Sequence, residues 1–152
     1  MVLFTLLFDQ LTKFFALQSL SADTSLPVIK GFFHLTLVRN PGIAFGFFQS
    51  HQNFLTVLIS ASLVVLIFIA HRMYGADSAA ASGGDKPTMA RLSLALILGG
   101  AIGNWIDRLR FQAVIDFLDF RVWPVFNVAD SAITIGVALY VVLLIRGGGR
   151  TT

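Results

Sequence analysis

The stretch VFNVADSAITIGVALYVVLLI, at residues 125–145, decides the fold, because it is an apolar run long enough to cross a membrane. A hydrocarbon core of ~30 Å requires about 20 helical residues. Asp130 lies near the beginning of this run, and a carboxylate at mid-membrane costs ~2.5–3.5 kcal/mol on insertion scales. Asp116, in AVIDFLDF at 113–120, lies 14 residues earlier. Two carboxylates that come together can share a proton and activate water, so this pair is typical of an aspartic-type hydrolase at a membrane surface.

The composition is that of an integral membrane protein. Of the 152 residues, 56% are hydrophobic and 12% are charged, whereas a soluble domain carries roughly 25% charged residues. We therefore expect a single membrane-embedded domain over 1–152. Cysteine is absent, which excludes disulfides, thiolate metal sites and cysteine nucleophiles. The histidines His34, His51 and His71 lack the spacing of metal ligands, so we expect no metal and no other cofactor.

The eleven basic residues are spread along the chain rather than clustered. This distribution makes nucleic acid a poor candidate partner, and contact with the headgroups of membrane lipids is a more natural use of the charges. If both termini lie on the same side, the loops and tails of the two sides carry five and six basic residues. Charge alone therefore leaves the orientation of the protein open.

Four apolar segments predict an all-α membrane protein with four transmembrane helices. They lie at about 1–20, 54–70, 90–107 and 125–145. The second and fourth segments are long enough outright, and the third is long enough if its polar ends are included. A cleavable signal peptide fits the first segment poorly, because it lacks a basic beginning and contains internal charges.

The connections between these segments have patterns of their own. Within 27–48, the stretch FHLTLV at 33–38 alternates in hydropathy with a period of two, which predicts a strand. The sequence NPG at 40–42 predicts a turn. The small and polar residues of 74–88 predict a linker, and those of 146–152 predict an irregular tail.

Polar and small residues follow one face of three of the apolar segments, at helical spacing. In the third segment Gly99 and Gly103 form a GxxxG pattern, which lets another helix approach closely. The polar and small positions that share these faces are Asp9, Thr12, Lys13, Gly100, Asn104, Asp107, Arg108, Asn127, Asp130, Ser131 and Thr134. We expect the three faces to converge at one membrane interface.

The charged residues on these faces also have a purely structural interpretation. Asp9 and Lys13 lie four residues apart, and such an acid–base pair is more often a structural ion pair than a catalytic one. Asp107 and Arg108 are typical of a helix end. In that interpretation the Arg108 guanidinium is still free to meet a ligand.

The asparagines and the remaining aspartates also have both a structural and a functional interpretation. Asn104 and Asn127 are typical of hydrogen bonding between helices. Asp119 lies three residues after Asp116, and we expect its carboxylate to be solvated. From the residues alone, Asp116 and Asp130 fit a catalytic pair and a buried polar network equally well.

Three other functions are compatible with a polar bundle. A small transporter or proton channel would also place Asp and Arg inside it, but would normally show broken helices or an inverted repeat, and the sequence has no repeat. A structural membrane subunit would leave the Asp116/Asp130 arrangement without a purpose. A Ser–Lys hydrolase would use Lys13, yet no serine is obviously placed to meet it.

Five stretches together resemble the bacterial lipoprotein signal peptidase family, also called signal peptidase II. They are FDQLTK (8–13), LVRNPGIAFGFF (37–48), LGGAIGNWIDRL (98–109), AVIDFLD (113–119) and WPVFNVADSAITIG (123–136). The resemblance implies four transmembrane helices with a small extracytoplasmic β-cradle, in the bacterial cytoplasmic (inner) membrane. It implies that both termini and the loop 74–88 are cytoplasmic, and that the active site lies near the outer leaflet. The implied substrate is a lipid-modified prolipoprotein, cut just before its diacylglyceryl-modified cysteine.

The resemblance also assigns roles to residues. The family's catalytic aspartates match Asp116 and Asp130, and its substrate-binding residues match Asn40 and Arg108. The positions that support the site match Asp9, Lys13, Gly42, Asn104, Asp107, Asn127 and Ala129. The chain departs from the family at Gln112, where a glycine is usual, and in having only eight residues before Asp9. The first departure predicts an altered turn, and the second predicts a weaker anchor for the first helix.

Overall fold

A computed structural model describes residues 1–22, 24–42, 52–79 and 86–148, with side chains described at 1–22, 24–42, 57–72 and 89–146. Within these ranges the chain forms a helical bundle and one small sheet. The helices are α1 Val2–Ser19, α2 Gln52–Ala79, α3 Lys86–Phe111 and α4 Val128–Gly148, and the strands are β1 Ser25–Ile29, β2 Phe33–Asn40 and β3 Val114–Asp119.

Helix α3 lies at the centre of the bundle and packs against α1, α2 and α4. Its glycines allow α1 to come close. A Cβ atom at Gly99 would lie 2.7 Å from Thr5 Cβ, and one at Gly103 would overlap the carboxylate of Asp9. The GxxxG pattern therefore acts as expected, as a contact surface between helices.

The same helix uses other small residues against α4. A Cβ atom at Gly100 would lie 2.5 Å from the carbonyl oxygen of Ala129. From the opposite side, a Cβ at Gly136 would lie 2.7 Å from the carbonyl oxygen of Ser93. The first contact fixes the beginning of α4, which carries Asp130, against the middle of α3, and the second fixes the middle of α4 against the first turns of α3.

The surface of the bundle is apolar and its interior holds charges. Phe4, Val64 and Ile145 are 64%, 66% and 72% exposed, whereas Asp9 and Lys13 are buried. Such a distribution suits a lipid surrounding. By length and composition, Met89–Phe111 and Val128–Arg146 could each cross a membrane, and Val57–Arg72 is a shorter apolar helix.

The sheet is antiparallel in the order β1-β2-β3. The strand predicted at 33–38 is present as the beginning of β2. Strand β3 was not expected, because nearly all of its residues are buried and its sequence lacks the alternation of a half-exposed strand. Val38 pairs with Asp116 across the two strands, and Asn40 pairs with Val114. The register therefore places Asn40 near Asp116, which lies two residues after Val114.

Two predicted irregular segments are wrong at their ends. Helix α2 continues to Ala79 and α3 begins at Lys86, so the linker predicted at 74–88 is helical at both ends. A single glycine, such as Gly75, costs a helix only ~1 kcal/mol and does not end it. Helix α4 likewise continues to Gly148, into the predicted tail 146–152. Residues 80–85 and 149–152, and the stretch 43–48 of the predicted β region, lie outside the described residues.

The turn after α3 does adopt an unusual conformation. Gln112 has a φ of 54°, in the left-handed region that glycine enters most easily. The backbone N–H of Gln112 still donates to the carbonyl of Arg108 at 3.0 Å, so the last helical turn is closed. Glutamine therefore occupies a conformation that suits the glycine usual in the family.

Candidate active site

The candidate site lies where the sheet meets the end of α3 and the beginning of α4, beside the middle of α1. Strand β3 carries Asp116, and the first turn of α4 carries Asp130. The end of β2 contributes Asn40, and the last turns of α3 contribute Asn104. The structure thus brings together, through hydrogen bonds, the two aspartates that the sequence singled out.

Asp116 is buried, and both of its carboxylate oxygens accept hydrogen bonds from amides. Asn40 Nδ2 donates to Oδ2 at 2.9 Å, and Asn127 Nδ2 donates to Oδ1 at 2.7 Å. Burial raises the pKa of the Asp116 carboxyl to about 6, and the nearby charge of Asp130 adds to the rise. The two amide hydrogen bonds oppose the increase only in part. The Asp116 carboxyl therefore takes up a proton at a higher pH than an exposed aspartate does.

Asp130 and Asn127 form a reciprocal cap at the beginning of α4. Asn127 Oδ1 accepts the backbone N–H of Asp130 at 2.9 Å, and Asp130 Oδ2 accepts the backbone N–H of Asn127 at 3.3 Å. This is the capping-box arrangement, here built from asparagine and aspartate. The other Asp130 oxygen accepts Asn104 Nδ2 at 2.7 Å. The positive end of the helix dipole favours a carboxylate at this position.

Lys13 is a buried cation at the centre of the network. Its Nζ lies 2.9 Å from Asp9 Oδ2 and 2.7 Å from Asp107 Oδ2, and it donates to Asn104 Oδ1 at 2.9 Å. The expected Asp9–Lys13 ion pair is present, and Asp107 joins it. Buried charges of this kind are tolerated because each one is paired and hydrogen-bonded.

The two acids of this cluster also hold backbone groups of neighbouring elements. Asp9 Oδ1 accepts the backbone N–H of Ala129 at 2.9 Å, and Asp107 Oδ2 accepts that of Ile115 at 3.1 Å. One bond fixes the beginning of α4, and the other fixes β3 next to Asp116. The Lys13 cluster therefore positions both strand and helix at the site.

The two residues expected to bind substrate lie close to the aspartates. Arg108 Nη1 donates to the carbonyl of Asn104, in the preceding turn of the same helix, at 3.0 Å. Its guanidinium is also within electrostatic reach of Asp116 and Asp130. Asn40 is fixed by a turn in which Gly42, at a φ of 87°, donates its backbone N–H to Asn40 Oδ1 at 2.9 Å.

The prediction that Asp119 is solvated is wrong. Successive strand residues point to opposite faces, so Asp119 lies on the face of β3 opposite to Asp116. It is 5% exposed, and it accepts Thr36 Oγ1 at 2.7 Å and the backbone N–H of Arg121 at 2.8 Å. The Thr36 hydrogen bond is the main cause that lowers the pKa of the Asp119 carboxyl.

Asp119 belongs to a second polar cluster, which no sequence pattern predicted. Thr36 Oγ1 lies 2.6 Å from Ser25 Oγ, and Arg121 Nη2 lies 2.8 Å from His34 Nδ1. These contacts join all three strands at the end of the sheet away from Asn40. His34 and Asp119 are Cα partners across β2 and β3, so the cluster depends on the register of these strands. No local pattern in the sequence indicates that register.

An apolar cleft of about 460 Å³ opens beside the Asp130 carboxylate. Its lining consists of Phe120, Trp123, Phe126, Asp130, Ser131, Thr134 and Ile135. Ser131 and Thr134, which the helical spacing placed on the polar face of α4, are thus cleft residues. Among the described residues no group of three or more His, Asp or Glu side chains could hold a metal ion. The arrangement supplies a pair of coupled carboxyls next to a space for an apolar ligand.

Comparisons with known proteins agree on one family. The family model described as Signal peptidase (SPase) II matches residues 1–146. The lipoprotein signal peptidase of Moorella thermoacetica is 49% identical over 140 residues, which cover 91% of this chain and 86% of the relative. That of Halothermothrix orenii is 42% identical over 143 residues, covering 94% and 91%.

A solved structure has the same fold. A bacterial membrane enzyme determined by the in meso method at 2.3 Å resolution superposes with a TM-score of 0.79 at 28% identity, covering 99% of this chain and 88% of that one. A second such structure, at 1.9 Å, gives a TM-score of 0.76 at 29% identity, covering 94% and 88%. With its family match extending over nearly the whole sequence, the chain belongs to the signal peptidase II family.

Proposed function

We propose that this chain is an aspartic endopeptidase of the bacterial inner membrane, which removes the signal peptide from diacylglyceryl-modified prolipoproteins. Cleavage falls just before the lipidated cysteine. One observation carries the proposal: Asp116 and Asp130 are joined through Asn127, and Asp130 opens onto an apolar cleft. Coupled carboxyls beside a site for an apolar chain suit the hydrolysis of a peptide bond within a lipid-anchored substrate.

The two acids take different parts in the reaction. Asp116, whose pKa is raised to about 6 by burial, holds the shared proton and donates it to the oxygen of the scissile carbonyl. Asp130 takes a proton from water as the water oxygen attacks the carbonyl carbon. The tetrahedral intermediate then collapses: one of its hydroxyls returns a proton to Asp116 as the C–N bond breaks, and the proton held by Asp130 passes to the departing amine of the cysteine. Both carboxyls are thus back in their starting protonation states after each cleavage.

Substrate contacts come from the residues that flank the pair. Arg108 has a planar guanidinium that can donate two parallel hydrogen bonds to peptide carbonyls. Asn40 is held by its own turn against Asp116, where it can also meet the peptide backbone. The cleft lined by Phe120 and Trp123 accommodates apolar substrate groups next to the scissile bond.

The proposal includes a membrane arrangement with four transmembrane helices in a single domain over 1–152. The sheet follows the end of α1, and β3 connects the end of α3 to the beginning of α4. This connectivity puts the aspartates and the sheet at the same end of the bundle. We place that end near the outer leaflet, with both termini in the cytoplasm.

Cleavage of a defined substrate tests the proposal. The purified protein in detergent is incubated with a lipidated prolipoprotein, and the product is identified by mass and by its new amino-terminal cysteine. The same precursor without its diacylglyceryl group serves as the control substrate. We expect cleavage of the lipidated form alone, whereas a transporter or a structural subunit would leave both precursors intact.

A further inference from the structure

Two turns at the end of the sheet away from Asn40 expose large apolar side chains. Val122 and Trp123, between β3 and α4, are 89% and 69% exposed, and Phe32, between β1 and β2, is 55% exposed. The ring of Phe32 meets that of Phe120 edge to face, with centroids 5.5 Å apart, so the two turns lie side by side. We call residues 29–32 and 120–123 together the sheet tip. Exposed apolar patches of this kind mark contact surfaces.

The second of these turns has a strained backbone. The N–H of Val122 donates to the carbonyl of Phe120 at 2.7 Å, which closes a three-residue turn around Arg121. The φ of Arg121 is 64°. A turn of this size with a positive φ at its centre is rare and strained, and glycine enters it most easily. An arginine there requires support from the surrounding structure.

The second polar cluster gives that support. The backbone N–H of Arg121 donates to Asp119 Oδ1 at 2.8 Å. Its Nη2 donates to His34 Nδ1 at 2.8 Å and to Ser25 Oγ at 2.9 Å. These bonds tie the turn to all three strands. The cluster takes no part in the proposed hydrolysis, and its position shows another use, because it fixes the direction in which the apolar side chains of the turn project.

The same turn lies beside the lipid-facing surface of α4. Phe120 and Trp123 line one cleft together with Ile135, which is 53% exposed. Ile135 follows Asp130 by five residues, about 7.5 Å further along the helix axis. In the membrane arrangement proposed above, α4 runs inward from the outer leaflet. The wall that contains Trp123 therefore reaches from the headgroup layer toward the hydrocarbon.

The charged residues of the sheet tip are both cationic. Lys30 is exposed, Arg121 is 45% exposed, and the eight residues of the two turns include no acid. Indole rings favour the headgroup level of a bilayer, and basic side chains nearby are attracted to anionic lipids. A twofold contact with a second copy of the chain would instead bring like charges together. The chemistry of the surface thus favours lipid over protein.

We propose that the sheet tip is an interfacial anchor. It inserts Val122 and Trp123 among the headgroups of the outer leaflet, while Lys30 and Arg121 meet lipid phosphates. The anchor rests on the membrane placement given with the proposed function, and it deepens that placement, because it assigns the second polar cluster to holding the sheet at a fixed height beside the cleft.

A fluorescent probe at the most exposed position measures the depth of the anchor. The chain has no cysteine, so Val122→Cys supplies a single thiol for a nitrobenzoxadiazole label. The protein is placed in nanodiscs of phosphatidylcholine and phosphatidylglycerol, whose two faces are both open to solvent. Quenching is measured with lipids that carry a nitroxide at a shallow or a deep position, and with iodide in the water. Ser82→Cys, between α2 and α3, is the solvent-exposed control.

We expect the probe at 122 to lie within about 10 Å of the headgroup level. Shallow nitroxides should then quench it more than deep ones, and iodide should quench it less than the probe at 82. Quenching by iodide without quenching by lipid would overturn the anchor. Protection from both quenchers would also overturn it, since protein would then cover the sheet tip.

Two variants in the Val122→Cys background test the supporting residues. Arg121→Gly allows the same φ but removes the guanidinium bonds to Ser25 and His34, so the probe should move toward water. A probe at the same depth would refute the role of the polar cluster. Lys30→Gln should weaken the extra lipid quenching that phosphatidylglycerol gives over phosphatidylcholine alone, and an unchanged gain would refute the phosphate contact of Lys30. None of these measurements involves cleavage, so a protein that cuts no lipidated precursor would refute the proposed hydrolysis separately.

Discussion

Replacing Asp116 by asparagine should change how the free energy of unfolding depends on pH. In the wild type, burial raises the pKa of Asp116 from 3.8 to about 6. A group whose pKa is higher in the folded state stabilises the fold fully below its unfolded pKa, and that contribution is lost as the pH rises through the folded pKa. Asparagine does not titrate, so the variant keeps a constant contribution from this position.

The magnitude follows from the pKa shift and from two hydrogen bonds. A rise of roughly two pKa units corresponds to about 3 kcal/mol of unfolding free energy, lost by the wild type between about pH 4 and 7. Asparagine has only one acceptor oxygen, so either Asn40 or Asn127 loses its acceptor, at a cost of about 1 kcal/mol at every pH. We therefore expect the variant to be less stable by about 1 kcal/mol below pH 4 and more stable by about 2 kcal/mol above pH 7.

Denaturant titrations in detergent micelles between pH 4 and 8, followed by tryptophan fluorescence, measure this difference. Asp119→Asn is the matched control, because Thr36 lowers the pKa of that carboxyl. In the wild type, ionised Asp119 stabilises the fold above its unfolded pKa, and this contribution is lost as the pH falls. The difference in unfolding free energy between the wild type and Asp119→Asn therefore changes with pH in the opposite direction. Parallel curves for the wild type and the Asp116 variant would refute the burial argument.

Three further predictions concern binding, backbone and topology. Arg108→Lys keeps the charge but loses the planar fork, so kcat/KM for the lipidated precursor should fall by at least ~10-fold; unchanged kinetics would show that the fork does not bind substrate. Gln112→Gly should raise the free energy of unfolding by about 1 kcal/mol, because φ is 54° and the side chain is exposed; a lower melting temperature would contradict this. Since the chain has no cysteine, a cysteine at Ser25 should react with a membrane-impermeant thiol reagent in intact spheroplasts, while one at Ser82 should not. The opposite labelling would reverse the proposed orientation.

Local patterns predicted the elements whose signals are local. The apolar runs gave the helices, and the alternation of FHLTLV gave β2. Strand β3 was not predicted, because it is buried on both faces. Its sequence VIDFLD therefore lacks the alternation of polar and apolar residues that is typical of a half-exposed strand. The same omission caused the error at Asp119, since a strand assignment would have put it on the face opposite to Asp116.

The sequence indicated which residues lie near Asp116 and Asp130, but not the hydrogen bonds that connect them. Asn127 and Asp130 are three residues apart, a spacing that could have revealed the reciprocal cap of α4. The contact between Lys13 and Asn104 joins helices far apart in sequence, and it depends on how closely Gly103 lets α1 approach α3. Such contacts follow from tertiary packing, which no single segment specifies.

The central claim is that Asp116 and Asp130 together hydrolyse the signal peptide of a lipidated prolipoprotein. The most direct measurement is the cleavage rate of Asp116→Asn and Asp130→Asn in detergent, each shown to be folded, beside Asp119→Asn as the same chemical change outside the site. We predict that each of the first two variants loses at least ~10²-fold in rate, while folded Asp119→Asn still cleaves. Near-wild-type cleavage by both the Asp116 and Asp130 variants would contradict the account.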